Sequence, residues 1–318
     1  MTKTEHSILQ FQILVAIALL LRHYMMASAI NKKIVLITGC SKNSIGDALA
    51  QEFARRGHHV LATARSLSKI SHLTSMGIET FELDISSSES IADFRNKITH
   101  IDILFNNAGI SAASMLADTP VSTFKKLFDV NVFGTFELTQ ALIPLLIQSK
   151  GIMVNHTSQS PYGTSVATGA YAASKSALAR LNDTWRIELA PFGICVVELI
   201  TGVATSNILV ELAGTKLPLN SIYIPIEAEV NRALSGEGIV DKAMPNHVYA
   251  KKVVSDLLDS WWGTPVWIWR GTGATVLYYV WLLGCHWKGL FDGLLGRILG
   301  LHLLAGRLRE QEQQQKRE

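Results

Sequence analysis

Tyr171 and Lys175 stand four residues apart in Tyr171-Ala172-Ala173-Ser174-Lys175. That spacing puts both on one face of a helix, one turn above the other. An ammonium held beside a phenol favours the phenolate and lowers a proton affinity ordinarily set near ~10. The pairing makes a tyrosine usable as a general acid or base near neutral pH. Surface helices often carry the same pair by chance, so its meaning depends on its surroundings.

The elements that would position it alternate regularly. Short apolar runs predict strands over residues 33–38, 59–64, 79–83, 101–105, 152–156, 194–199 and 266–269. Helical patterns fall between them, over 47–56, 86–98, 170–189 and within 121–146, where Pro144 should end the helix. Alternation of this kind predicts an α/β fold, a doubly wound parallel (Rossmann) sheet covered on both faces. Residues 202–246 mix polar and apolar types without a period and suit a lid.

Between the first strand and first helix lies Thr38-Gly39-Cys40-Ser41-Lys42-Asn43-Ser44-Ile45-Gly46. Glycines there let backbone N–H groups approach a pyrophosphate, and the helix N-terminus adds positive potential. Gly39, Ser41, Lys42, Ser44, Ile45 and Gly46 are therefore expected cofactor contacts. The second strand ends on Arg65, where an NAD site would carry Asp or Glu for the ribose 2′-OH. An arginine there suits a 2′-phosphate, with Lys42 as a second cation, so the expected cofactor is NADP(H).

Four further motifs appear in order: Asp84 after the third strand, Asn106-Asn107-Ala108-Gly109 after the fourth, Asn131-Val132-Phe133-Gly134, and Ser158 thirteen residues before Tyr171. With the glycine turn and the Tyr–Lys pair, residues 31–270 resemble the short-chain dehydrogenase/reductase family. The resemblance implies a catalytic set of Asn131, Ser158, Tyr171 and Lys175. Ser158 would hold a carbonyl oxygen and Tyr171 would deliver the proton. Lys175 would lower the Tyr171 pKa and bind the nicotinamide ribose, and Asn131 would position a water linking Lys175 to solvent. It also implies cofactor contacts at Asp84, Asn107, Tyr171, Lys175 and Thr205. Two positions depart from the family pattern. The glycine turn has an extra residue with Ser44 replacing its middle glycine, and Thr201-Gly202 replaces a Pro-Gly pair. Softer similarities, including Thr38–Ser41, Ala62–Arg65 and the Pro265–Trp269 stretch, point within the family to fungal acyldihydroxyacetone-phosphate reductases. The implied reaction is NADPH-dependent reduction of 1-acyldihydroxyacetone phosphate to 1-acylglycerol 3-phosphate. A steroid, retinoid or secondary-metabolite ketoreductase is the alternative, and a catalytically silent NADP-binding scaffold is the reading from outside the enzymes.

The chain has 318 residues, of which 48% are hydrophobic, and carries a formal net charge of +3. That charge is too slight to imply nucleic-acid binding. Cys40, Cys195, Cys285 and the histidines lack ligand spacing, so neither a disulfide framework nor a metal site is expected. Three regions are expected: residues 1–30 as a hydrophobic anchor or signal-like segment, 31–271 as the catalytic domain, and 272–318 as an extension. Residues 8–21 are almost wholly apolar, shorter than the ~20 needed to span a bilayer. Residues 272–304 are rich in Trp, Tyr and Leu with interspersed cations, which suits a headgroup interface; residues 307–318 read as a charged, frayed tail. The expected partners are a lipid-like ketone, a membrane or lipid-droplet surface and a second copy of the chain. The expected location is the endoplasmic reticulum or lipid droplets, with the catalytic domain facing the cytosol.

Overall fold

A computed structural model describes residues 32–283 except 164, 213, 239 and 262, together with residues 296–297 and 300–316. The apolar run at 8–21 and most of 284–299 lie outside the described residues.

Among the described residues seven strands form one parallel sheet: β1 (Ile34–Ile37), β2 (His59–Ala64), β3 (Glu79–Glu82), β4 (Ile103–Asn106), β5 (Ile152–His156), β6 (Cys195–Thr201) and β7 (Trp267–Arg270). Their order across the sheet is β3-β2-β1-β4-β5-β6-β7, so the chain reverses direction between β1 and β4. Ligands of open α/β sheets sit outside the carboxyl ends of the strands at such a switch point. The expected doubly wound fold is the observed one.

Alternation along the strands divides the core in two. Val35, Ile37, Val154, Val197 and Leu199 face helix α1 (Ile45–Arg55) and its partners. Leu36, Leu104, Met153 and Val196 face the other layer. That second layer holds α2 (Ser88–Lys97), the continuous helix Val121–Ser149 and α3 (Gly169–Glu188). Among the described residues, Val121–Ser149 alone is long and apolar enough to cross a membrane by length and composition. Its Leu138, Leu142, Leu145 and Leu146 are instead buried in this core. The helix runs through Pro144 rather than ending there. Leucines on both sides of the proline are buried, and Arg95 Nε donates to the nearby Ala141 carbonyl at 3.1 Å. Packing outweighs the ring's penalty here.

Helix α4 (Asn246–Leu258), which falls between the expected elements, covers α1. Tyr249, Ala250, Val253, Val254 and Leu257 are all buried, at i, i+1, i+4, i+5 and i+8. That is a helical stripe, worth roughly 1.5–3 kcal/mol for each large aliphatic side chain it removes from water. Two short helices, Asn207–Leu212 and Glu227–Leu234, lie in the lid. The charged tail is also more ordered than expected. It forms α5 (Leu301–Gln315), whose Arg307 donates to the Pro225 carbonyl at 2.6 Å and pairs with Glu229 at 3.0 Å. Leu301 and Leu304 pack on the lid cluster that contains Ile226 and Val230.

Candidate active site

The glycine turn is built around two close approaches. A Cβ at Gly46 would lie 2.5 Å from the Gly39 carbonyl oxygen, and one at Gly39 would lie 2.8 Å from Ala108 Cα. No side chain fits in either place. Asn43, in the lengthened turn, takes the left-handed conformation at φ 66°, which asparagine tolerates better than most residues. Ser44 does not crowd the site as a replacement for glycine might. Its hydroxyl caps α1, accepting from Asp47 N at 3.1 Å and donating to the Gly39 carbonyl at 3.1 Å. Such a cap contributes about 1 kcal/mol.

Over this turn opens a cavity of about 410 Å³. Of the expected contacts it is lined by Gly39, Ser41, Lys42, Ser44, Ile45, Arg65, Asp84 and Asn107. Lys69, which the sequence reading did not single out, joins Lys42 and Arg65 on its wall. The Lys42 backbone N–H bonds the Lys69 carbonyl at 3.0 Å, which holds the two segments together. Burial alone would raise the Asp84 carboxyl. Donation from Ser86, with Arg65 near, more than reverses this and holds it below the usual range. A dinucleotide fits these residues: backbone N–H groups at the turn, an acidic group beside β3, and three cations on the wall, which suit a 2′-phosphate. Gly46 supports the turn without lining the cavity. Thr205 is exposed and also off its wall, with its N–H donating to the Met244 carbonyl at 2.9 Å.

The expected catalytic quartet meets this cavity through Gly109, which lines it. A Cβ at Gly109 would sit 3.1 Å from Asn131 Oδ1 and 3.4 Å from Lys175 Nζ. Asn131 lies in a π-helical turn, Asp129–Gly134, within the long helix; such bulges recur at functional sites. Its oxygen accepts from Ile110 N at 2.9 Å, and its nitrogen donates to the Ile110 carbonyl at 2.9 Å and to Ser174 Oγ at 3.0 Å. With its amide so committed, the side chain braces the loop after β4 rather than reaching toward solvent.

Tyr171 and Lys175 project from α3. Ser158 stands close enough to the Tyr171 phenol to favour its ionised form, and Ser158 Oγ accepts from Ser160 N at 3.2 Å. Burial pushes Tyr171 up to about 12, with Ser158 opposing it. This corrects the expectation that Lys175 lowers it. The ammonium stands 6.0 Å from the ring centroid and donates to the His156 carbonyl at 2.7 Å. Burial in turn lowers Lys175 to about 8. His156, also unforeseen, lines the cavity next to this cluster. Its isolated position in a strand gave no sequence signal.

Comparison with known proteins agrees with this geometry. Residues 33–216 match the family model described as short chain dehydrogenase. A short-chain dehydrogenase/reductase from Pestalotiopsis microspora, GME11361, is 38% identical over 281 residues, covering 87% of this chain and 98% of its own. An NADPH-dependent 1-acyldihydroxyacetone phosphate reductase from Schizosaccharomyces pombe is 37% identical, over 61% of this chain and 69% of its own. The crystal structure of a short-chain dehydrogenase from Streptomyces avermitilis superposes with a TM-score of 0.69 at 25% identity, covering 85% of this chain and 98% of that one. With its switch-point cavity, its glycine turn and its Ser158–Tyr171–Lys175 cluster, the chain belongs to the short-chain dehydrogenase/reductase family, as an oxidoreductase acting on CH–OH groups.

Proposed function

We propose that the enzyme reduces a ketone on an apolar, lipid-like substrate with NADPH, and that 1-acyldihydroxyacetone phosphate is the leading candidate. The observation that carries the cofactor choice is the cluster of Lys42, Arg65 and Lys69 on one wall of the cavity, with arginine where an NAD site needs an acid. The same three cations, Asp84 and the turn from Gly39 to Gly46 would hold the dinucleotide, which when bound supplies the hydride. Ser158 donates its hydroxyl hydrogen to the ketone oxygen and steadies the charge developing there. Tyr171, kept protonated by burial, delivers the proton. Lys175 then faces the resulting phenolate with its ammonium, and Asn131 fixes the loop that shapes the floor beneath them.

Apolar substrate is supported by the lid, whose Leu219, Val210 and Ile222 are 93%, 73% and 64% exposed. The Schizosaccharomyces pombe relative names an acyl ketone phosphate; the Pestalotiopsis relative, matched over more of its length, names no substrate. Attachment to a lipid surface has its own support. Helix Ala274–Leu282 exposes Val276, Tyr279 and Leu282, spaced three apart, and Leu283 at its end is exposed as well. On this ground we propose the endoplasmic reticulum or lipid droplets as its location. The test is turnover of acyl ketones of graded chain length, with and without phosphate, using NADPH and NADH. A preference for NADPH and a rate rising with chain length support the reading. Preference for short or water-soluble ketones overturns the lipid part. Full-length protein recovered in the supernatant after fractionation overturns the attachment.

A further inference from the structure

We propose that His156, held as the neutral tautomer with its proton on Nδ1, is a positioning residue that couples the cofactor turn to Lys175 and to the end of β6. The proposal rests on the cofactor reading above and concerns a residue outside the catalytic set.

Strand alternation puts His156 on the α1–α4 side of the sheet, where Val154 two residues earlier is wholly buried. A central parallel strand normally offers an aliphatic side chain there. A histidine 8% exposed instead needs partners for both ring nitrogens. It has them. Nδ1 lies 2.8 Å from Asn107 Oδ1 and Nε2 lies 2.7 Å from Thr201 Oγ1.

The proton's place follows from Asn107. The nitrogen of that amide lies 2.6 Å from the Thr38 carbonyl and 3.2 Å from the Gly39 carbonyl. Turning the amide over would set its oxygen against two acceptors that cannot donate. Oδ1 therefore faces the imidazole, and an acceptor there requires an N–H on Nδ1. Burial, with Lys175 nearby, holds the ring well below its ordinary value, at about 3, so it carries one proton. Nε2 is then an acceptor, Thr201 donates to it, and Tyr249 OH donates to Thr201 Oγ1. Every hydrogen bond runs in one direction: Tyr249 to Thr201 to His156 to Asn107 to the carbonyls of the glycine turn.

This also accounts for Thr201 where the family pattern has proline. A proline could not donate to Nε2, and the buried ring nitrogen would be left unmet at a cost. Meanwhile the His156 backbone carbonyl takes the Lys175 ammonium. One residue thus holds the catalytic lysine, the amide under the cofactor turn and the start of the loop after β6.

Two substitutions separate the two nitrogens. An asparagine amide reaches about as far as Nδ1, so His156→Asn can still donate to Asn107. A glutamine amide reaches as far as Nε2, so His156→Gln can accept from Thr201 but leaves Asn107 without a donor. Each loses one buried hydrogen bond, and a purely structural role predicts equal effects. We expect NADPH affinity, read by fluorescence titration, to fall about tenfold or more in His156→Gln and to stay within about threefold of the parent in His156→Asn. Equal affinities in the two variants overturn the proposal. ¹⁵N NMR of the unsubstituted protein provides a second readout that needs no variant. Protonated Nδ1 with bare Nε2 across pH 6 to 8 is expected, and a proton on Nε2, alone or with Nδ1, overturns it. Unsubstituted protein that binds no nicotinamide dinucleotide would instead overturn the cofactor reading, and the tautomer would still decide this one.

Discussion

The Lys175 ammonium donates to the backbone carbonyl of His156 at 2.7 Å, within a site where Lys175 is only 5% exposed. The catalytic lysine is thereby anchored to the end of β5 rather than to the tyrosine it serves. Its charge is also conditional, because burial lowers it to about 8.

A pH dependence follows from that value. The ammonium is present below about 8 and lost above it, whereas Tyr171, raised to about 12, stays protonated throughout. The kcat/KM for NADPH reports groups of the free enzyme. In ketone reduction it should be level below pH 8 and then fall, approaching tenfold per pH unit. In Lys175→Arg the guanidinium keeps its charge, so the falling limb should move upward by more than one pH unit, whatever the absolute rate. A limb that does not move belongs to another group.

The π-helical turn depends on Gly134. A Cβ there would lie 2.2 Å from the Ile85 carbonyl oxygen, a backbone atom beside the cofactor cavity. Gly134→Ala should cost at least the ~1–3 kcal/mol typical of overpacking, read as a lower urea midpoint with unchanged slope. Loss below about 0.5 kcal/mol would mean that the turn yields easily and is not a fixed platform for Asn131.

Arg65 should decide cofactor choice with Lys42 and Lys69. A charge-assisted contact to phosphate contributes about 1.5–3 kcal/mol, or roughly ten- to a hundredfold in affinity. Arg65→Asp also adds repulsion, so NADPH should weaken by at least that factor while NADH holds or improves. Unchanged ratios would shift the assignment to the two lysines.

What the sequence disclosed follows from how local each signal is. The strands β1 to β6 and the α3 pair Tyr171–Lys175 are legible because apolar runs and a one-turn spacing are local patterns. Asn131 was legible as a motif, but its committed amide was not, because its partners Ile110 and Ser174 come from distant segments. His156 and Thr201 are separated by 45 positions, and only strand pairing brings them together. Lys175 was expected to lower Tyr171. The spacing held, but burial depends on the whole fold and reversed the direction. Ser44 looked like a defect in a glycine motif because capping geometry is invisible in a pattern of residue types. The helix Asn246–Leu258 had a readable stripe, obscured by the irregular lid before it.

The most direct test of the account is single-turnover reduction of an acyl ketone by NADPH-loaded protein, comparing Tyr171→Phe with the parent. The ring still packs, so NADPH affinity should remain within a few-fold. The transferable proton is gone, so the rate of NADPH consumption should fall by roughly 10² or more, the range for a positioned acid–base group. A Tyr171→Phe enzyme that consumes NADPH at near the parent rate would contradict the central claim that Tyr171 delivers the proton.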